Sequence, residues 1–339
     1  MGGSVVNQGR PSVALRASIA ITIGILCTAI ILIITRQLRP VSDFDQCWLA
    51  ARALVTGANP YDLIGPGRTF EWRWPFYYPM TAAVVSLPFA WLDAGTARLL
   101  FSVTSSSLLA FAVTRRGYHR LLLFLSAGFC FSLLSAQWSP LLTAAALLPI
   151  LSWVFAAKPT VGLALFVAFP SRTAVVGGMV ILVLSLVAMP SWPGIWWHVI
   201  QYAPHMRTPL FTVVGPFVLL VLLRWRRPEA RLLAVLACVP QTMVLYVTVP
   251  LFLIPASGTE SLLLLVLSWI TQVITFTMSA KPPGADFYSQ SALAIVTLMY
   301  LPCVAMVLRR PNEGALPKVV ETALERAMNW RNVAVPPPA

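Results

Sequence analysis

Residues 17–35 read ASIAITIGILCTAIILIIT, a run of 19 residues without a charge. A helix of this length is close to the roughly 20 apolar residues that cross the hydrocarbon core of a bilayer. The run is too long for the core of a signal peptide, and Arg36 and Arg39 follow it instead of a small-residue cleavage site. We therefore expect an uncleaved anchor that begins a helical membrane protein.

The composition of the whole chain agrees with this expectation. Of 339 residues, 58% are hydrophobic and 10% are charged, and the mean hydropathy is +0.79. Soluble domains carry about 25% charged residues. Apolar runs recur through residues 17–308 without a long polar interval, so we expect a single all-α transmembrane domain, flanked by tails at residues 1–16 and 309–339.

Eleven apolar segments bounded by Pro, Gly or charge predict a polytopic protein with about 10–12 transmembrane helices. The segments are 17–35, 78–92, 97–114, 121–136, 139–157, 159–171, 174–190, 209–223, 232–254, 261–279 and 288–308. Several are too short to cross a bilayer upright. Short pieces bounded by proline indicate broken or tilted helices, which are tolerated where protein shields the freed backbone groups.

The net charge is +13, from 24 Lys and Arg against 11 acidic residues. The basic residues stand in short loops, which disfavours nucleic acid as a partner. Scattered interfacial cations suit membrane lipids and lipid-linked phosphates better. The five cysteines show no disulfide framework and no metal spacing. We expect neither a metal nor a cofactor. The oligomeric state stays open.

Two intervals between the apolar runs are rich in aromatic and ionisable residues. Residues 191–208 hold two of the three histidines, and residues 36–77 hold four of the eleven acids. Those four are Asp43, Asp45, Asp62 and Glu71. In a chain that otherwise avoids carboxylates, their gathering at one membrane edge indicates chemistry there.

The orientation of the chain is not fixed by the first run, which has two arginines on each side. Alternation through the eleven segments predicts that the Asp43 loop, the corner at residues 115–120, Lys158 and the histidine loop all emerge on one side. If that side is external, the arginine corner violates the positive-inside tendency. Either the span count is then wrong or those cations hold an anion.

The segment DFDQCWLAARALVTGANPYD at residues 43–62, followed by FYYP at 76–79, resembles the first-loop signature of glycosyltransferase family 87. The pair Ala136-Gln137 and the stretch AAKPT at 156–160 are similar to the family's Gly-Gln and Lys-Pro positions, with Ala in place of Gly. The similarity covers residues 36–170 and does not extend beyond 171.

This family belongs to the C-type membrane glycosyltransferases, which use polyprenyl-phosphate sugars and include mannosyltransferases of mycobacterial glycolipid assembly. The resemblance implies a C-type fold in the cell membrane and an active site on the extracytoplasmic face. It also implies inverting transfer of a hexose, mannose by analogy, from a polyprenyl-phosphate donor to a lipid or glycan acceptor.

In the family the first-loop aspartate is the general base, and Asp43 matches its position. A neutral hydroxyl is a poor nucleophile, and a carboxylate within hydrogen-bond reach can take its proton. Asp45 is a second catalytic candidate that would substitute for Asp43 or orient the acceptor. The alternative is that Asp43 only caps a helix beginning near Phe44.

Cations in a water-poor site would stabilise the departing phosphate. Lys158 is the first candidate, although a snorkelling lysine at a helix end is equally expected. Further candidates to contact the phosphate are Arg115, Arg116, Arg120, His198 and His205. An interfacial structural role is the alternative for both histidines, whose spacing forms no metal motif.

Residues 70–78, FEWRWPFYY, hold six aromatics. An interfacial belt accounts for most of them, and the remainder would form a stacking platform for a sugar ring. Candidate sugar or acceptor contacts are Glu71, Arg73, Trp74, Tyr78 and Gln137.

Two other hypotheses stay open. A transporter or flippase for a lipid-linked or small anionic substrate would use the same cations and broken helices as a pathway, although no half-to-half similarity is present. A structural partner in an envelope-building complex is the third hypothesis. Glycosyl transfer requires Asp43 and Lys158 to face one cavity, because catalysis needs groups already in position.

Overall fold

The computed structural model describes residues 12–37, 42–278, 285–314 and 322, and within them the chain is mostly helical. Most of the C-terminal tail expected at residues 309–339 lies outside the described residues. Four described helices are long and apolar enough to cross a membrane, or six if each of two bent pairs is one span. The predicted all-α membrane class is confirmed at this level.

The chain begins with α1, Val13–Gln37, which contains the predicted anchor. The loop after it contains α2, Asp43–Val55, and α3, Pro60–Leu63. It ends in two short parallel strands, β1 at Ile64–Gly65 and β2 at Phe70–Glu71.

The start of α2 is set by its own first turn. Ser42 is the N-cap residue, and its hydroxyl donates to Asp45 Oδ1 at 2.6 Å. The Ser42 N–H donates to Asp45 Oδ2 at 3.2 Å. Asp45 also takes a bidentate contact from Arg98, with Nη2 2.5 Å from Oδ2. The cap therefore uses Ser42 and Asp45, and Asp43 is left out of it.

The predicted segment 78–92 does not cross the bundle. It forms α4, Met80–Ser86, and a 3-10 turn, Leu87–Phe89. Tyr78, before α4, donates to Asp43, and the carbonyl of Leu92, after the turn, accepts from Trp48 Nε1 at 3.1 Å. Both ends of the segment thus return to α2.

The next helix, α5, Ala94–Val113, does cross the bundle. Arg98 near its start pairs with Asp45, and twenty residues of helix extend about 30 Å. At its far end Phe111 accepts a hydrogen bond from Arg16 Nη2 at 2.6 Å, so α1 and α5 are antiparallel. We call the end that holds α2 the loop end, and the opposite end, with Arg16 and Arg116, the arginine end.

The prediction that residues 115–120 share a face with Asp43 is therefore wrong. The alternation counted 78–92 as a crossing, and this segment enters and leaves at the loop end. Removing one crossing moves the arginine corner to the opposite end of the bundle.

The middle of the chain is built from short pieces. They are a 3-10 segment at Tyr118–Leu125, α6 at Ala127–Leu134, α7 at Ser139–Leu147, a 3-10 segment at Pro149–Ala157, α8 at Pro159–Ala168, α9 at Arg172–Ala188 and α10 at Trp192–Ile200. The bend between α6 and α7 is 115°, and that between α9 and α10 is 101°. The expected broken helices are present.

The last part of the chain begins at β3, Met206–Arg207, which pairs antiparallel with β4, Gln241–Thr242. Between the two strands lie 3-10 segments at Pro209–Phe211 and Gly215–Arg224 and the helix α11 at Pro228–Cys238. After β4 come a 3-10 segment at Leu245–Leu253, α12 at Gly258–Met278, α13 at Ala285–Ile295, a π-helical turn at Val296–Tyr300 and α14 at Leu301–Leu308.

The separation of the two ends predicts the outcome of thiol labelling in sealed vesicles. Arg52→Cys at the loop end and Arg115→Cys at the arginine end replace exposed side chains, in a background that lacks the exposed Cys238. We expect an impermeant maleimide to label only one of the two from a given side, and both after detergent is added. Labelling of both from one side would contradict the fold.

Candidate functional site

A cavity of about 480 Å³ opens at the loop end. Its walls come from α2, residues 72–79, the turn between α6 and α7, the start of α8, α10 and the β4 region. Six of the residues singled out in the sequence line it: Asp43, Trp74, Tyr78, Gln137, Lys158 and His205.

Asp43 is held by two donors in the cavity wall. Gln46 Nε2 donates to Asp43 Oδ1 at 2.8 Å, and the Tyr78 hydroxyl donates to Oδ2. Burial, and then the charge of Asp43, raise the pKa of Tyr78 well above its usual value, so its hydroxyl stays a donor. Each carboxylate oxygen retains a second lone pair, which leaves Asp43 able to accept from a ligand.

Lys158 lies at the break before α8, with its ammonium over aromatic faces. Its Nζ is 4.5 Å from the ring centre of Tyr246 and 5.6 Å from that of Tyr78. Tyr78 thus contacts Lys158 with its ring and Asp43 with its hydroxyl. Among the described residues no carboxylate forms an ion pair with Lys158. Its ammonium group is therefore able to bind an anion in the cavity.

An aromatic cluster forms another wall. His205 stacks on Trp74 with ring centres 4.9 Å apart, and Tyr77 lies at the same distance. Trp196 of α10 donates to the Tyr77 carbonyl at 2.9 Å, which fixes α10 against the cavity. Burial, and then nearby cations led by Arg207, lower the pKa of His205 to about 4, so it is neutral near pH 7.

The turn between α6 and α7 presents Gln137 to the cavity. Ala136 has φ 45°, in the left-handed region where glycine is favoured. Gln137 is 5% exposed, and its Oε1 has no hydrogen-bond partner among the described residues. A buried acceptor of this kind is suited to a ligand hydroxyl.

Seven of the predicted site residues lie elsewhere. Asp45 is committed to Ser42 and Arg98 and does not line the cavity. Glu71 is exposed and accepts from the Gly67 N–H at 3.0 Å. Arg73 does not line the cavity, and its guanidinium stacks on the ring of Trp74. His198 is exposed and contacts the side chain of Gln201. The remaining three are at the arginine end: Arg115, Arg116 and Arg120.

Three contributors to the site were missed. Gln46 follows Asp43 by three residues, and that helical spacing could have identified it. Trp196 lies in the aromatic interval already noted. Tyr246 lies inside the apolar run 232–254, and its sequence context gives no signal that its ring faces Lys158.

The strained turn predicts that Ala136→Gly does not lower the stability of the protein, although Ala136 is buried. Relief of a left-handed alanine is worth about 1 kcal/mol, offset in part by the greater freedom of glycine in the unfolded chain. The midpoint of thermal unfolding in detergent should rise by a few degrees or stay level. The matched control is Ala144→Gly in buried α7, which should lower it by removing a good helix former. A fall of similar size in both variants would contradict the turn geometry.

The burial of neutral His205 predicts an acid-dependent loss of stability. Its folded pKa of about 4 lies below the ordinary 6.5, so the unfolded chain binds the extra proton and stability falls as pH drops from 6.5 towards 4. The loss approaches about 3 kcal/mol. We expect His205→Gln to flatten this part of the unfolding profile and His198→Gln to leave it unchanged. An unaltered profile in His205→Gln would contradict the assignment.

Comparison with known proteins gives no functional information, so any functional assignment depends on the geometry of the cavity. No protein-family profile, curated protein or solved structure matches this chain.

Proposed function

We propose that this protein is an inverting membrane glycosyltransferase that moves a hexose, mannose by resemblance, from a polyprenyl phosphate to a hydroxyl of a lipid or glycan acceptor. The observation that carries the proposal is that Asp43 and Lys158 line one cavity, on either side of Tyr78. A proton acceptor and a phosphate anchor are the two groups that this transfer requires.

The reaction follows from these positions. The acceptor oxygen attacks the anomeric carbon while its proton passes to Asp43. The bond from that carbon to the phosphate oxygen breaks, and its electron pair stays on the phosphate. Lys158 stabilises the added negative charge, and attack from the face opposite the leaving group inverts the anomeric centre. Gln46 and Tyr78 hold the carboxylate in place throughout.

The walls of the cavity suit a sugar on a lipid. A volume of about 480 Å³ lies within the range of small-ligand sites. Trp72 and Tyr77 offer flat apolar faces to a pyranose ring, and Gln137 Oε1 offers an acceptor to one of its hydroxyls. Apolar lining from Phe131 and Val244 suits the start of a polyprenyl chain.

We place the cavity on the extracytoplasmic face of the cell membrane. The opposite end holds arginines from α1, the corner at residues 115–120, α11 and the segment after α14. The positive-inside tendency assigns that end to the cytoplasm. We also propose that the protein has the C-type fold, with about 10–12 membrane crossings.

The direct test is transfer from radiolabelled polyprenyl-phosphate mannose by purified protein. We expect Asp43→Asn to lower the initial rate about 10²–10⁴-fold, the usual contribution of a general base. Lys158→Gln should also lower the rate and should raise the KM for the donor. The control is Asp62→Asn. Asp62 is an exposed carboxylate of the same loop and accepts a hydrogen bond from Asn59 Nδ2 at 2.7 Å, and this variant should retain the wild-type rate.

Full activity in Asp43→Asn would contradict the assigned base. The rival function has its own readout in proteoliposomes with the same donor. Movement of labelled substrate across the bilayer without cleavage of the sugar-phosphate bond would replace the transferase with a transporter.

A further inference from the structure

Basic side chains from distant segments meet at the arginine end. Glu229 accepts ion-pair contacts from Arg227 at 3.5 Å and Arg310 at 3.8 Å, and Glu260 lies 2.5 Å from Arg310. Glu260 is therefore hydrogen-bonded by Arg310, whereas Glu229 has only the two longer contacts, and its Oε2 has no hydrogen-bond partner among the described residues. Further cations stand beside them: Arg115, Arg116, Arg120 and Arg231.

None of these four arginines lies within ion-pair distance of a carboxylate among the described residues, and Arg116 and Arg120 interact with Glu229 only at longer range. Arg120 is 7% exposed, its Nη1 donates to the Phe252 carbonyl at 3.0 Å, and its Nε has no partner in the described part of the chain. Arg116 is exposed, with its guanidinium 5.0 Å from the ring centre of Phe169. A buried guanidinium with an unused donor is costly unless an anion completes its hydrogen bonds.

An apolar groove of about 550 Å³ lies nearby. It is formed by Leu125 and by the face of α12 that includes Leu265 and Trp269, whose Nε1 donates to the Leu125 carbonyl at 2.9 Å. Leu125 ends the 3-10 segment that carries Arg120, and five residues of that helix extend about 10 Å. The groove therefore begins about 10 Å along the chain axis from Arg120, a distance that a lipid headgroup can bridge.

We propose that the arginine end binds an anionic phospholipid, with its phosphate between Arg116 and Arg120 and an acyl chain in the groove. Guanidinium groups bind phosphate through charge-assisted, often bidentate hydrogen bonds. Basic pockets between membrane helices are established sites for anionic headgroups. This site is separate from the cavity and does not depend on the proposed transfer reaction.

The experiment is native mass spectrometry of the full-length protein in detergent, titrated with phosphatidylglycerol, phosphatidylcholine or inorganic phosphate. We expect retention of phosphatidylglycerol in preference to the other two. Arg116→Gln should weaken that binding about tenfold, as expected for loss of one charge-assisted hydrogen bond. Arg120→Gln should weaken it at least as much, and the exposed Arg116 keeps the test valid if the buried variant does not fold.

Arg226→Gln is the matched control, because Arg226 is also exposed, also at the arginine end, and also stacked on an aromatic ring, that of Trp225 at 5.7 Å. If Arg116→Gln and Arg226→Gln weaken phosphatidylglycerol binding equally, the binding depends on general surface charge and the proposed site is wrong. Equal binding of phosphatidylcholine would remove the anion requirement. Binding of inorganic phosphate as tightly as phosphatidylglycerol would exclude the lipid.

Discussion

The first turn of α2 is the constraint on which the rest of the site depends. Asp43, Phe44 and Asp45 are consecutive, and a helix turns about 100° per residue, so their side chains leave in three directions. Asp43 faces the cavity, Phe44 stacks on Phe101 with centres 3.9 Å apart, and Asp45 pairs with Arg98. Asp45 is 4% exposed, and breaking a buried ion pair costs about 3–5 kcal/mol. This turn anchors α2 on α5 and thereby fixes the position of the proposed base.

Breaks between helices supply the polar groups of the cavity. Lys158 stands between the segment Pro149–Ala157 and α8, and Gln137 stands between α6 and α7. A regular crossing would use its backbone groups internally, whereas a break turns polar atoms inward where protein covers them. The short proline-bounded pieces of this chain are therefore the means by which ionisable groups reach a mostly apolar hollow.

The sequence predicts the long elements and part of the site. The runs within α1, α5 and α12 are recognisable because each combines sufficient length with apolar composition, and Asp43 and Lys158 were both identified and do share a cavity. The path of residues 78–92 was not predictable in this way. An apolar segment that crosses and one that returns have the same composition, and only the packing of Tyr78 and Leu92 against α2 distinguishes them.

The same error explains why Arg115, Arg116 and Arg120 were expected to contact the donor phosphate. Because one segment was counted as a crossing, the predicted topology placed these arginines beside Asp43 instead of at the opposite end of the bundle. Asp45 lies outside the cavity for a different reason: a carboxylate beside the proposed base has the same sequence signature whether it faces a ligand or pairs with an arginine of α5. The most direct measurement is an experimental structure with a non-cleavable polyprenyl-phosphate sugar analogue bound. We expect its phosphate to lie within about 3 Å of Lys158 Nζ and its anomeric carbon to face Asp43. An analogue bound outside this cavity, with no phosphate at Lys158, would contradict the proposed roles of both residues.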